Sequence, residues 1–164
     1  MTAQVFQAFM PLRNTIVNRV DTNLISMRVY SGPFHPGDLE QEFDKWAAAE
    51  VDTLNMVPPG METTTIPAGL YAVFHYKGLN TDSSIYRYIY STWLPSSGYC
   101  LDERPHFETL SRKYKNNDPE SEEEIWIPVV LKQVITPTNS NENQCIILFT
   151  IFVVIPIFIV YICS

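Results

Sequence analysis

The sequence predicts an α+β fold, and three observations carry that prediction. Apolar residues recur at helical spacing in two places: Val5, Phe9, Leu12 and Ile16 at intervals of four, three and four, and Ile85, Ile89 and Trp93 at intervals of four. Runs rich in β-branched and aromatic residues, bounded by Gly, Pro and Asp, lie between and after them. Each helical stretch precedes a set of strands, so the chain reads as two similar halves whose helices cover antiparallel strands.

Taken in order, the first helix carries Pro11 in its apolar stripe, and a kink is expected there. LISMRVY (Leu24 to Tyr30) reads as a strand, SGPFHPGD as a loop, and KWAAAEVDTL (Lys45 to Leu54) as a second strand. Pro58, Pro59 and Gly60 punctuate the chain before METTTI (Met61 to Ile66). In the second half, Gly69 to Tyr76 is a strand closed by Lys77 and Gly78. The second helix follows, with Asp82 as its N-cap and Pro95 and Gly98 as its stop. His106 to Tyr114 and Glu124 to Lys132 read as two more strands, separated by the acidic loop KNNDPESEEE.

At 164 residues, 46% hydrophobic and 13% aromatic, the chain is the size of one domain with an appendage. Its net charge is −7, and all eleven bases and eighteen acids precede Cys145. An acidic domain without a basic stripe is poorly built to neutralise phosphates, so direct nucleic-acid binding is not expected. Cys100, Cys145 and Cys163 do not space as a disulfide framework or a zinc site. His35, His75 and His106 form no metal-binding motif, and the acidic loop lacks the alternating ligands and turn glycine of a calcium site. Ser96, Ser97 and Ser111 have no GxSxG context, and no Gly-rich turn cradles a phosphate. No metal or other cofactor is expected.

The two ends of the chain differ. The N-terminus has no secretory pattern, which with the unpaired cysteines points to a cytoplasmic domain. From Cys145 to Cys163 there are nineteen residues without a charge, close to the length that crosses a bilayer, so residues 145–163 are a candidate transmembrane helix and membrane anchor. Residues 136–144 (TPTNSNENQ) read as a polar linker, leaving 1–135 as the domain. Pro156 interrupts the run and no Lys or Arg flanks it. Two alternatives stand: an appended tail with no selected role, and a pair of buried strands with Pro156 at the turn.

IPAGLYAVFHYKG, the helix ending TWLPSSGY, PHFE and EEEIWIPV occur in register over roughly residues 4 to 132. Together they resemble the GyrI-like family of effector-binding domains, found as single domains and as sensor modules of AraC-type and MerR-type regulators. The resemblance implies two β-α-β-β units packed into a curved antiparallel sheet, a helix on each half and a ligand cleft between them. It also implies a strand ahead of the first helix, which this chain lacks. An unpaired sheet edge is the consequence.

The same resemblance points to Glu108, the glutamate of PHFE, as the residue facing a ligand's positive charge. In a strand, His106, Glu108 and Leu110 share one face and Phe107 and Thr109 the other. A carboxylate in an apolar cleft is costly until a cation meets it, and aromatic faces add to that attraction. Tyr30, Trp46, Tyr71, Trp93, Tyr99 and Trp126 lie on or beside the expected cleft elements, with core packing as the alternative for each. The expected function is capture of amphipathic, cationic small molecules without turnover. The alternatives are hydrolysis of strained electrophilic natural products, with Glu108 and Tyr71 or Tyr99, and interaction with a protein partner, as a gyrase inhibitor or an orphaned regulator sensor. A homodimer along the bare edge also stays open.

Overall fold

The computed structural model describes residues 2–38, 40–132, 152–154 and 157–163. The expected linker at 136–144 and residues 145–151 of the apolar run lie outside the described residues.

Helix α1 (Thr2–Leu12) tightens into a 3-10 turn (Arg13–Thr15), with Pro11 in its final turn. Strand β1 (Leu24–Tyr30) matches its sequence signal. Strand β2 (Phe43–Val51) starts earlier and stops earlier than expected, because Asp52 N–H bonds the carbonyl of Asn18, and the Asn18 amide bonds Asp52 and Thr53, drawing the chain out of the ladder. Then come β3 (Glu62–Ile66) and β4 (Gly69–Lys77). Helix α2 (Ser84–Tyr88) has Ser83 at its N-cap, one residue after the expected Asp82, whose carboxylate accepts the Ser84 N–H at 2.8 Å. It runs through a π-helical turn (Ile89–Trp93) into α3 (Leu94–Ser96), where Pro95 has no N–H to return to the preceding turn. A short β5 (Tyr99–Leu101) follows, then β6 (His106–Leu110), which ends where a turn from Ser111 to Tyr114 begins. Strand β7 (Glu122–Leu131) begins two residues earlier than expected, because Glu122 and Glu123 pair with Lys77 and Tyr76. Strands β8 (Phe152–Val154) and β9 (Ile157–Cys163) complete the described chain.

Among the described residues these strands form one curved antiparallel sheet in the order β3-β9-β2-β1-β6-β7-β4-β8, with β5 also on β7. The order is symmetric about the β1–β6 pair: outward from it lie β2 then β9 on one side, and β7 then β4 on the other. Strand β4 leads into the second helix, and β9 occupies the matching place beside the unit of α1. The strand expected ahead of the first helix is therefore supplied from the other end of the chain. The edge of β2 is not bare.

This corrects the reading of the apolar run as a transmembrane helix. Over 152–154 and 157–163 the chain is strand, and no helix among the described residues is long and apolar enough to cross a membrane. The ladders of β3 with β9 and β4 with β8 share one register. Three residues on from Ile66 is Gly69, and three back from its partner Ile157 is Val154, the partner of Gly69. An Ile-Pro pair precedes each leading strand, Ile66-Pro67 before β4 and Ile155-Pro156 before β9. A buried strand can read in sequence as an apolar run, the same signal that a membrane helix gives.

The two faces of the sheet bury different clusters. On one face Ile25, Met27, Ala48, Ile66, Tyr71, Phe107, Ile159 and Tyr161 form a core. On the other, Val5 and Phe9 of α1 pack on Ala47, Ala49 and Val51, where small residues let the helix sit close to the strand. Ile89 packs on Ile125, Ile127 and Val129 under the second helical run. Between these two helical units the same face is left open.

Candidate functional site

The opening is a cleft of about 830 Å³. Ala3, Phe6 and Met10 of α1 wall one side and Tyr86 of α2 the other; Ser26, Arg28, Lys45, Glu108 and Glu123 form the floor. Alternation along the strands puts them there. Leu24, Ser26 and Arg28 face the cleft while Ile25, Met27 and Val29 face the opposite core, and Glu108 and Leu110 flank the cleft while Phe107 turns away.

Glu108 is 7% exposed and sits at the centre of a network of hydrogen bonds. Ser26 Oγ donates to its Oε2 at 2.5 Å, and Lys45 Nζ donates to the same oxygen at 3.3 Å and to Ser26 Oγ at 2.7 Å. Its Oε1 accepts from Arg28 Nη2 and, at 2.6 Å, from the Tyr86 hydroxyl. Arg28 also donates to the Tyr86 oxygen at 3.0 Å and lies 5.0 Å from the centre of that ring. Burial works to raise the Glu108 pKa, yet Arg28, Lys45 and the two hydroxyls outweigh it and bring it down to about 2. Burial lowers the Lys45 pKa despite its carboxylate partner. For Tyr86, burial and then Glu108 raise it well above the ordinary phenol value.

A cleft of this size, apolar on its helical wall and polar on its strand floor, is built to hold a small organic molecule. The family comparison agrees: the model of the GyrI-like small molecule binding domain matches residues 12–130. The chain belongs to the GyrI-like family. A comparison with curated proteins gives no match.

In this GyrI-like domain Glu108 is among the residues that line the cleft. The six aromatics do not line it. Tyr71 and Trp126 pack around Phe107 on the opposite face, and Trp46 stacks on Tyr161 there with centroids 3.6 Å apart. Trp93 lies under the second helical run, stacked on Tyr99 and edge-on to Phe74. Tyr30 shares the cleft's face but is engaged with Phe34, Phe43 and His106. Core packing is the arrangement found for Trp46, Tyr71, Trp93, Tyr99 and Trp126, and Tyr30 joins a half-buried aromatic group instead. Glu108 is also not the solitary carboxylate that the sequence suggested, since two cations and two hydroxyls hold it.

Ser26, Arg28, Lys45, Tyr86 and Glu123 were not among the expected site residues. Their signal is polar residues on the alternate positions of otherwise apolar strands: Ser26 and Arg28 between Ile25, Met27 and Val29, and Lys45 two places before Ala47. Nothing in the sequence shows that these positions converge on Glu108, because β1, β2 and β6 meet only through the ladder. Among the described residues no group of three His, Cys, Asp or Glu side chains is placed to hold a metal ion.

Proposed function

We propose that this GyrI-like domain captures amphipathic, cationic small molecules in the cleft between its two helical units and releases them unchanged. The observation that carries the reading is the cleft itself, with Phe6 and Met10 on one wall and, on the floor, Glu123 beside Glu108 and its partners Arg28 and Lys45. An apolar wall takes the lipophilic body of the ligand, and the floor takes its charged or polar end. The acidic balance of the domain favours cations at a distance as well.

Glu108 itself is not poised for general acid or base work near neutral pH, since it is brought down to about 2 and all its acceptor positions are engaged. Its role here is to hold Arg28, Lys45, Ser26 and Tyr86 in one arrangement, so that the floor is set before a ligand arrives.

Calorimetric titration of the full chain with methyltriphenylphosphonium, against the anion tetraphenylborate, tests the reading. The phosphonium binds, the borate binds at least about tenfold more weakly, and mass spectrometry recovers the phosphonium intact. Phe6→Ala, which trims the wall, weakens the phosphonium. Equal affinity for both ions, or none for either, refutes the proposal.

A further inference from the structure

We infer that Glu123, rather than Glu108, is the carboxylate that meets the ligand's cationic group; the inference rests on the reading of the cleft as a site for amphipathic cations. Pairing of Glu108 with Ile125 puts both on one face of the sheet, and alternation then places Glu123 on that face as well, two residues along β7. Glu123 lines the cleft.

Its acidic neighbours are already engaged. Glu122 accepts from Lys113 Nζ at 2.7 Å, Glu124 lies 3.5 Å from His75 Nδ1, and Glu120 pairs with Lys77. Glu123 has no hydrogen bond or ion pair among the described residues. A ligand cation that approached Glu108 would have to displace Arg28 or Lys45, leaving a buried charge without its partner. At Glu123 it displaces nothing.

The groups that face Glu123 set its charge state. Burial and then Glu108 of β6 push its pKa up, and Arg28 of β1 and Lys45 of β2 pull it down; the balance is a value of about 7. Tyr86 of α2, Tyr76 of β4 and Tyr114, from the turn after β6, also feel its charge and stay neutral at that pH, each raised first by burial. A half-buried carboxylate in this state is stabilised by any cation that reaches it.

Titration calorimetry of the full chain at pH 8 with methyltriphenylphosphonium and its neutral counterpart, triphenylphosphine oxide, tests the assignment. Glu123→Gln weakens the phosphonium by about tenfold or more and leaves the oxide unchanged. Lowering the pH from about 8 to about 6 weakens the phosphonium for the natural chain and not for the variant. If the natural chain binds the phosphonium and Glu123→Gln binds it equally well, Glu123 is not the partner and the reading of the cleft stands. If the variant loses both probes alike, its effect is on shape and the assignment falls. If the natural chain binds neither probe, the reading of the cleft falls and the assignment with it.

Discussion

Replacing Ile159 by alanine tests whether the C-terminal strand is part of the domain. Ile159 is fully buried, at 0% exposure, in the core with Met27, Ala48, Ile66 and Tyr161. It sits on β9, paired with Glu50 of β2 on one side and Thr64 of β3 on the other. Removing a buried isoleucine to alanine costs the transfer of the lost carbons plus the cavity left behind, about 2–5 kcal/mol. A domain of this size is stable by about 5–15 kcal/mol, so the change is a large share of the total. Urea unfolding followed by tryptophan fluorescence reads it directly, since Trp46 stacks on Tyr161 of the same strand. The midpoint falls while the slope with denaturant stays the same, as for a loss of packing without loss of cooperativity. A chain ending at residue 136 loses more: among the described residues β3 pairs with β9 alone, and α1, which walls the cleft, packs against β9 as well as β2. An unchanged midpoint in Ile159→Ala would show that the tail lies outside the folded unit and would sink the account of β9 as a structural strand.

Other expectations follow from the polar floor. Glu108→Gln leaves Arg28 and Lys45 facing each other without their shared anion, and the domain loses about 3–5 kcal/mol in chemical denaturation, whereas Lys45→Met loses less because Arg28 still neutralises Glu108. The depressed pKa of Glu108 gives stability that is complete above about 4.5 and is lost as the pH falls toward about 2, so acid unfolding monitored by circular dichroism shifts to higher pH when Arg28 is replaced by methionine. His106 is kept neutral by burial and then by Arg28, with its pKa lowered to about 4; the folded state is therefore disfavoured as the pH falls from about 6.5 through about 4, and His106→Gln shows a flatter profile over that window.

The helices and most strands were legible in the sequence because their signals are local. Leu24–Tyr30 alternates faces, and Ile85, Ile89 and Trp93 recur every four residues; each pattern stays on one element and needs no partner to be read. Strand ends were less legible at Asp52 and Ser111, where bonds to residues elsewhere in the chain or a turn close the ladder. For the tail, a pair of buried strands was one of three readings that the sequence left open, and nothing local chose between them. A run of apolar residues says only that it must leave water, and a bilayer, a helical core and a slot between β2 and β3 satisfy that equally.

The sequence by itself determined the α+β class, which follows from the helical and strand periods, and the family, which follows from the order of its motifs; the resemblance, and not the period, singled out Glu108. Only the tertiary structure decided what surrounds that glutamate. Arg28, Lys45 and Tyr86 lie 80, 63 and 22 residues from Glu108 and reach it because three strands and a helix converge there. Electrostatic partners act through distance in space, and neither their number nor their sign is encoded near the group they hold. The same convergence commits Arg28 and Lys45 to Glu108 and leaves Glu123 with no hydrogen bond or ion pair among the described residues, although it sits among four other acids that look alike in the sequence.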